Sequence, residues 1–313
     1  MGTPEFAVSS LEILIKNGFN IVAVVTAPDK PAGRGQKIKQ SKIKEFAIIQ
    51  QIKILQPTNL KDLNFISELK TLNADLQIVV AFRMLPEIIW NMPKLGTYNL
   101  HASLLPKYRG AAPINWAIIN NEKESGVTTF KIKQAIDTGN ILYQEKINLT
   151  SDITAGDLHN QLMKIGAELL LKTVIEINNN YTQGHELKFI SQNEENTYQA
   201  PKLTKEICKI NWNKSGIEIY NLIRGLSPYP TAMAYLNNKA DKLLIIKIYN
   251  SSFELFNHNY DNGLLFTDNE TFLKVYCKNG ILQINDIQIE GKKRLLIADF
   301  LRGTKLNAGA KLV

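Results

Sequence analysis

Residues 76–82, LQIVVAF, and residues 96–101, GTYNLH, decide the fold of this chain. Each is an apolar run of strand length, and helix-like stretches lie between several runs of this kind. The other strand-like runs cover residues 19–26, 52–55, 127–131 and 141–147, and the helix-like stretches cover residues 7–16, 41–50, 60–73 and 113–120. This alternation predicts an α/β domain with βαβ units around a largely parallel, Rossmann-like sheet.

The chain is long enough for two domains, because its 313 residues exceed the usual single-domain size. Residues 157–179 have the apolar spacing of one long amphipathic helix, and residues 178–197 form a polar stretch rich in Asn, Gln and Glu. Beyond it, strand runs broken by Asn-Asn and Asn-Gly turns predict a small, OB-like β-barrel. We therefore predict a first domain at 1–185, a linker at 186–204 and a C-terminal domain at 205–313.

The charge balance favours a polyanionic partner. The formal net charge is +8, although a basic surface that binds nothing is an equally good interpretation of the composition alone. Cys208 and Cys277 show no metal-ligand spacing, and their low density suits packing in a reducing cytoplasm. The longest apolar runs are far too short to span a bilayer, so we expect a cytoplasmic protein.

Asn99 and His101 stand two residues apart at the end of a predicted strand, so their side chains share one face. Ligands of open α/β sheets bind beyond the carboxyl ends of the strands, where this pair would emerge. An isolated Asn-x-His more often satisfies loop backbone, but Asp137, in an Asp-Thr-Gly turn, is a plausible partner for the imidazole. The second carboxylate loop of an aspartic protease is missing. No GxGxxG follows the first strand, which disfavours a nicotinamide dehydrogenase.

Five blocks of sequence carry a resemblance that spans nearly the whole chain. They are MGTPEFAV at 1–8, PDKPAGRGQK at 28–37, NLHASLLPKYRGAAPINWAI at 99–118, GVTTFKIKQAIDTGNIL at 126–142, and the C-terminal pair LSPYPTA at 226–232 and GKKRLLIADFLRG at 291–303. On these blocks the sequence resembles the folate-dependent formyltransferases, and in particular the branch that formylates initiator methionyl-tRNA. The resemblance implies a monomeric bacterial enzyme that uses 10-formyltetrahydrofolate as co-substrate and no metal.

The resemblance also implies that Asn99, His101 and Asp137 form the catalytic group, and the chemistry suits each of them. A primary amine attacks the N10-formyl carbon, so an oxyanion develops, the amine loses a proton and the folate nitrogen gains one. Asn99 can donate to the oxyanion, and His101 can polarise the formyl oxygen or carry protons. Asp137 would orient the imidazole. Which group first accepts the amine proton stays open.

The same resemblance implies a folate cleft built from three loops with apolar walls. Its expected contacts are Phe82, Arg83, Met84, Leu85, Ser103, Leu104, Leu105, Pro106 and Ile136. Arg83 stands where we would expect a small residue in the bacterial enzyme. For Leu104 and Leu105, simple packing of the loop is the alternative role.

Two basic segments are expected to contact tRNA phosphates. Residues 31–44 contain five basic residues and no acidic one, and residues 292–294 are all basic. On composition alone, residues 31–44 are a solvated charge run, and it is the resemblance that implies contact with RNA. The expected RNA contacts are Arg34, Lys37, Lys39, Lys42, Lys44, Lys292, Lys293 and Arg294.

The sequence departs from the family pattern at its start. Family members carry a hydrophobic strand immediately before GTPEF, whereas this sequence begins at the residue that should end that strand. The strand would be central, and its loss would leave its two neighbours unpaired. We therefore expect the first strand to be missing from this sequence and the native protein to begin upstream. A smaller departure is Asn140, where an acidic residue is common.

Two alternatives remain for the function. One is a folate-dependent formyltransferase acting on a small amine, such as glycinamide ribonucleotide or an amino sugar. Those relatives typically lack the C-terminal domain and the PAGRG loop. The other is a non-catalytic RNA-binding derivative, which the intact catalytic residues disfavour.

Overall fold

The computed structural model describes residues 1–32, 37–193, 195, 197–239 and 243–313. The chain divides into two compact units, each made of three segments. The first comprises Met1–Gly110, Glu124–Ile147 and His159–Gln199, and the second comprises Ala111–Lys123, Asn148–Leu158 and Ala200–Val313. The domain bounds at 185 and 205 stay a prediction.

Helices and strands alternate in the first half of the chain, and strands dominate the second half. The helices are α1 (Phe6–Lys16), α2 (Lys42–Ile49), α3 (Leu63–Thr71), α4 (Glu87–Trp90), α5 (Pro113–Ile119), α6 (Ala155–Gln183), α7 (Lys205–Cys208), α8 (Gly216–Leu226) and α9 (Ile297–Gly303). Among the residues described, no helix has both the length and the apolar character needed to cross a membrane.

The strands range in length from two residues to the twelve of Leu244–Leu255. They are β1 (Val24–Val25), β2 (Lys30–Ala32), β3 (Lys37–Lys39), β4 (Ile54–Leu55), β5 (Gln77–Val80), β6 (Thr97–His101), β7 (Arg109–Gly110), β8 (Glu124–Lys131), β9 (Ile141–Asn148), β10 (Gln199–Ala200), β11 (Ala232–Asn237), β12 (Leu244–Leu255), β13 (Leu265–Thr267), β14 (Leu273–Cys277), β15 (Gly280–Ile289), β16 (Arg294–Leu296) and β17 (Lys311–Leu312).

The first unit contains the predicted Rossmann-like sheet. Strands β5 and β6 are parallel neighbours, with Val79 opposite Asn99, and the sheet continues antiparallel from β6 to β8 and then to β9. On the other side, Gly2 forms a parallel bridge with Val80, and its N–H donates to the carbonyl of Val25 in β1. Strand β1 pairs in parallel with β4. The predicted α/β fold class is confirmed.

Local sequence signals explain where the helices of the first unit begin. Helix α2 starts after Ser41, whose hydroxyl accepts a hydrogen bond from the N–H of Lys44, and α3 starts after Asp62, whose carboxylate accepts from the N–H of Phe65. Such N-caps satisfy backbone donors that a helix leaves unpaired. Phe65 then packs into a core with Val79, so the cap and the apolar spacing fix the same helix.

A cavity of about 550 Å³ lies beside the first residues of the chain. Its walls include residues 19–25 and 76–78, and the buried amino group of Met1 donates to the carbonyl of Ile78 at 2.6 Å. Burial lowers the pKa of this amine to about 5. The sequence predicts a strand over 19–26, but only Val24–Val25 is paired, because β4 reaches no further along it. The expectation of an upstream strand stays a prediction.

The second unit is a nearly closed antiparallel barrel, as predicted. Its strands follow the order β13, β14, β15, β12, β11 and β17, and a bridge between Leu264 and Lys311 joins the two ends. Helix α8 begins at a capping box formed by Ser215 and Glu218, and its apolar face covers the barrel core. The core residues on the strands include Ala234, Ile246, Ile248, Val275, Leu282 and Ile284.

Candidate active site

Asn99 and His101 lie at the carboxyl end of β6, between β5 and β8. His101 is the last residue of the strand and is only 7% exposed. Its Nε2 is 2.9 Å from the carbonyl oxygen of Tyr108. A carbonyl can only accept, so Nε2 carries the proton in the neutral ring, and Nδ1 is then the basic nitrogen.

The structure brings Asp137 to this histidine. Oδ2 of Asp137 is 3.8 Å from Nδ1 of His101, and the same oxygen accepts a hydrogen bond from the N–H of Gly110 at 2.9 Å. The distance to Nδ1 is too long for a hydrogen bond but short enough for the carboxylate to stabilise a positive charge on the imidazole. The basic nitrogen of His101 therefore faces a carboxylate and does not form a direct hydrogen bond with it.

A tight loop between β8 and β9 carries Asp137. The backbone φ of Asp137 is 54°, a left-handed conformation that non-glycine residues rarely adopt. Two residues later, Gly139 passes so close to Lys131 that a Cβ would lie 1.7 Å from the Lys131 carbonyl oxygen. The glycine of the Asp-Thr-Gly turn is therefore required by the close approach of the two backbones.

The side-chain amide of Asn99 has an oxygen that makes no hydrogen bond within the described residues. This atom, Oδ1, is buried. Leaving a buried polar atom unpaired costs about 1–3 kcal/mol, so native structures seldom keep one without a reason. A bound substrate that donates a hydrogen bond would satisfy this oxygen.

Two side chains that the sequence analysis did not select shape the loop after β6. Thr128 donates through its hydroxyl to the carbonyl of Ser103 at 2.6 Å and accepts from the N–H of Leu105 at 3.2 Å. Gln144 donates to the carbonyl of Leu105 and to the Thr128 hydroxyl, each at 2.9 Å. Their place on β8, which neighbours β6, and on β9, the next strand of the sheet, was the only signal that could have suggested them.

The residues predicted to bind folate fall into two groups. Leu85, Ser103 and Leu105 are buried, and Leu105 packs in a small core with Phe130, so these residues shape the loops. The others reach the surface to different degrees, and Met84 and Ile136 are strongly exposed at 70% and 59%. The remaining partly or fully exposed members of the prediction are Phe82, Arg83, Leu104 and Pro106.

The guanidinium of Arg83 is engaged by its own neighbourhood. It donates to the carbonyl of Thr58 at 2.9 Å and to the carbonyl of Pro57, and it lies over the ring of Phe82, 5.6 Å from the ring centre. These contacts tie the loop after β5 to residues 57–58. Arg83 thus has a structural role that is independent of any ligand.

The basic residues predicted to bind RNA differ in how free they are. Arg34 and the side chain of Lys37 lie outside the described residues. Lys42 pairs with Glu45 at 2.7 Å, and Lys44 pairs with Asp29 at 2.6 Å. The Lys44 ammonium and the Gln56 amide lower the pKa of Asp29. Three other members are exposed lysines: Lys39, Lys292 and Lys293.

Arg294 is held by the barrel. Its guanidinium makes a bidentate hydrogen-bonded pair with Asp286 and lies 4.2 Å from the centre of the Tyr249 ring. This pairing raises the pKa of Arg294. Among the described residues, no group of three or more His, Cys, Asp or Glu side chains is arranged to hold a metal ion.

The chain is similar to known formyl transferases over both units. The family described as "Formyl transferase" matches residues 1–174, and "Formyl transferase, C-terminal domain" matches residues 202–305. The methionyl-tRNA formyltransferase of Flavobacterium johnsoniae is 51% identical over 312 residues, covering 100% of this chain and 97% of that protein. The methionyl-tRNA formyltransferase of Bacteroides fragilis is 46% identical over 316 residues, covering 100% and 96%.

Two solved structures have a similar fold. WlaRD, a sugar 3N-formyl transferase in the presence of dTDP and 5-N-formyl-THF, has a TM-score of 0.65 at 27% identity, covering 93% of this chain and 97% of its own. The N-formyltransferase from Helicobacter canadensis, in complex with folinic acid and dTDP-3-aminofucose, has a TM-score of 0.62 at 25% identity, covering 90% and 96%.

Proposed function

The chain belongs to the formyl transferase family, and on this premise we propose that it transfers the formyl group of 10-formyltetrahydrofolate to the α-amino group of initiator methionyl-tRNA. The relatives at 46–51% identity are methionyl-tRNA formyltransferases, and they match the second unit as well as the first. We propose further that the protein acts as a monomer in the bacterial cytoplasm, where translation is initiated.

The observation that carries this proposal is the convergence of Asn99, His101 and Asp137 at the carboxyl end of β6. The Nδ1 of His101 and the Oδ2 of Asp137 are 3.8 Å apart, although the two residues are far apart in the chain. The buried, unpaired Oδ1 of Asn99 adds a polar group with no structural partner in the described part of the molecule. An amide, an imidazole and a carboxylate can supply the oxyanion stabilisation and the proton transfer that favour acyl transfer to an amine.

In the proposed reaction, the methionyl amine attacks the formyl carbon, a C–N bond forms, and the formyl oxygen becomes an oxyanion. Asn99 stabilises this oxyanion with its N–H donors, and its Oδ1 accepts a hydrogen bond from the attacking amine. His101 takes the amine proton at Nδ1, because its Nε2–H is committed to the Tyr108 carbonyl. Asp137 stabilises the resulting imidazolium.

The intermediate then breaks the bond between the formyl carbon and N10 of the folate. The electron pair of this bond passes to N10, and His101 returns the proton to N10. Tetrahydrofolate then leaves as the neutral amine. The burial of His101 at 7% exposure excludes most water from the ring and strengthens its interaction with Asp137. No net proton is gained or lost, which matches the exchange of one amide-type bond for another.

The folate pterin is proposed to lie between the loops that carry Met84 and Ile136. These side chains are apolar and exposed at 70% and 59%, as expected for the walls of a site for a flat heteroaromatic ring. Ser103, Leu105 and Leu85 hold the loops from beneath. The tRNA phosphates are proposed to contact Lys39, Lys292 and Lys293, which are exposed, and the other predicted basic residues contribute positive potential.

A sugar amine is the second candidate acceptor, because WlaRD covers 93% of the chain at a TM-score of 0.65. The experiment compares formyl transfer from 10-formyltetrahydrofolate to charged initiator tRNA, to the same tRNA without methionine, and to a dTDP-linked 3-amino sugar. We expect transfer only to the methionyl-tRNA. Faster transfer to the amino sugar, or no transfer to methionyl-tRNA, would overturn the proposal.

A further inference from the structure

Gln192 lies in the segment after α6 that the sequence predicts to be a linker. Two residues earlier, Ile190 forms an antiparallel bridge with Ile141 of β9, and both N–H to O distances are 2.8 Å. The segment is therefore fixed against the sheet next to the loop that carries Asp137. Backbone pairing, and not only its own side-chain contacts, holds Gln192 in place.

The Gln192 amide uses all of its hydrogen-bonding capacity in the first unit. Its Nε2 donates to the carbonyl oxygens of Asp137 and Gly139, both at 2.8 Å. Its Oε1 accepts from Nε and Nη2 of Arg109 at 3.0 and 2.7 Å. A guanidinium only donates and a carbonyl only accepts, so a single orientation of the amide satisfies all four bonds.

The Asp137 loop needs support of this kind. Asp137 has a φ of 54°, and Gly139 approaches the Lys131 backbone too closely to tolerate a side chain. Conformations such as that of Asp137 persist only where the surroundings hold them. Two carbonyls of this loop bind one amide, and Gln192 thereby fixes the main chain on both sides of Thr138.

The same amide also binds the residue next to the donor that holds the Asp137 carboxylate. The N–H of Gly110 donates to Oδ2 of Asp137 at 2.9 Å, and Gly110 directly follows Arg109, the guanidinium of which binds Gln192. Arg109 is only 7% exposed. Gln192 thus links the main chain of the Asp137 loop to the segment that binds the carboxylate.

We infer that Gln192 is a positioning residue for formyl transfer: it fixes the Asp137 carboxylate relative to His101 and so controls the rate of the chemical step. The inference rests on the proposed function, because it takes Asp137 as a catalytic residue. It gives the segment after α6 a role at the active site, where composition alone indicates only a polar connection.

Two substitutions separate the contacts of Gln192. Gln192→Glu keeps an acceptor for Arg109 but loses both donors to the Asp137 loop, and Gln192→Met keeps the length of the side chain and loses every polar contact. We expect kcat for methionyl-tRNA formylation to fall about 10- to 100-fold in both, because a displacement of about 1 Å at a reacting group can cost about 100-fold. KM for each substrate should stay within about twofold of the wild-type value.

The matched control is Asn193→Ala, which changes the adjacent exposed side chain and should leave kcat unchanged. A double-substitution test then asks whether Gln192 acts through Asp137. Adding Gln192→Met to Asp137→Asn should slow the reaction by less than about twofold, whereas an independent structural role would give the full loss again. Thermal melting of each variant verifies that the protein is folded.

The possible results distinguish a failure of this inference from a failure of the proposed function. A normal kcat in Gln192→Glu and Gln192→Met, or the full additional loss in the double variant, overturns the inference while leaving the proposed function intact. A wild-type kcat in Asp137→Asn overturns the proposed catalytic group and the inference together. A slow Asp137→Asn enzyme, slow Gln192 variants and no further loss on combining them support the inference.

Discussion

Two carboxylates, Asp137 in the first unit and Asp286 in the second, each face a cationic or titratable partner, and they differ in how much of their binding capacity is used. Arg294 binds Asp286 in a bidentate pair and stacks on Tyr249. His101 instead stands 3.8 Å from Asp137 without a direct hydrogen bond.

This difference separates a structural ion pair from a group available for chemistry. A bidentate pair of Arg294 and Asp286 has its strongest hydrogen bonds already made, so there is little to gain from a ligand. The pair of His101 and Asp137 can tighten when a proton arrives on Nδ1 of the imidazole, which is the change that formyl transfer requires. A polar group whose hydrogen bonds are not all made in the unliganded protein therefore indicates a functional site more clearly than a fully paired group.

The largest effect is expected at the amide beside this pair. Asn99→Ala removes the proposed oxyanion donor, and loss of one such donor in other enzymes slows the reaction about 100- to 1,000-fold. We expect a loss of kcat in this range. The measurement is the steady-state rate of methionyl-tRNA formylation. A turnover number near the wild-type value would remove Asn99 from the catalytic group.

A moderate effect on tRNA binding is expected for the exposed lysines that precede Arg294 in the chain. Lys292→Ala with Lys293→Ala should raise KM for methionyl-tRNA and leave kcat unchanged. Removing each lysine that binds a phosphate should reduce the slope of log affinity against log salt by about 1. The matched control is Lys214→Ala, an exposed lysine paired with Glu218 in the same unit. An unchanged salt slope would show that the two lysines do not bind RNA phosphates.

Removing the ion pair between Arg294 and Asp286 should lower the stability of the protein and leave kcat unchanged. Arg294→Met leaves the carboxylate of Asp286, with 12% of its side chain exposed, without its strongest partner. Because Arg294 itself is 48% exposed, solvent screening limits the expected loss to about 1–2 kcal/mol in the free energy of unfolding.

Urea unfolding measures this loss, and the formylation assay should give a normal kcat. Arg302→Met is the control, because its pair with Asp299 lies on an exposed helix surface and should change stability by less than about 0.5 kcal/mol. A large loss of kcat in Arg294→Met would show that this pair takes part in the reaction. Asp286 could then no longer be called structural in contrast to Asp137.

The smallest effect is expected for Asp268, and it concerns the stability of the protein at acidic pH. The Thr271 hydroxyl and the backbone N–H groups of residues 270–272 hold the pKa of Asp268 well below its usual value of 3.8. A carboxylate with a lowered pKa in the folded state contributes stability above its unfolded pKa and loses it as the pH falls.

Asp268→Asn should therefore flatten the decline in stability of the second unit below about pH 4. The measurement is the melting temperature of both proteins between pH 7 and the most acidic pH at which they still refold. At neutral pH the variant should be slightly less stable than the wild type. Parallel acid profiles would show that Asp268 is not a source of the pH dependence.

The sequence was sufficient for the fold class because the signals that determine it are local. The apolar runs around residues 76–82 and 96–101 correspond to β5 and β6, and the long amphipathic pattern corresponds to α6. The run at 19–26 is the exception, since only Val24–Val25 is paired. Hydrophobicity predicts the tendency to form a strand, but a strand also requires a neighbour at the right place.

The candidate site was predictable where chemistry and strand position coincide, as for Asn99 and His101 on one face of β6. Gln192 was not, because its partners Asp137 and Arg109 are 55 and 83 residues away. For Arg294, the phosphate contact stays a prediction, and the sequence did not indicate its pair with Asp286. The basic neighbours of Arg294 suggest the phosphate contact, and the register of β15 and β16 places Arg294 within reach of Asp286.

The most direct test of the account is the chemical step itself in a His101→Asn variant. A single-turnover experiment with enzyme in excess follows the transfer of a labelled formyl group from 10-formyltetrahydrofolate to methionyl-tRNA. We predict a rate constant at least about 100-fold below that of the wild type, with both substrates still bound. A rate constant within about twofold of the wild-type value would contradict the assignment of the imidazole between Tyr108 and Asp137 as the proton carrier.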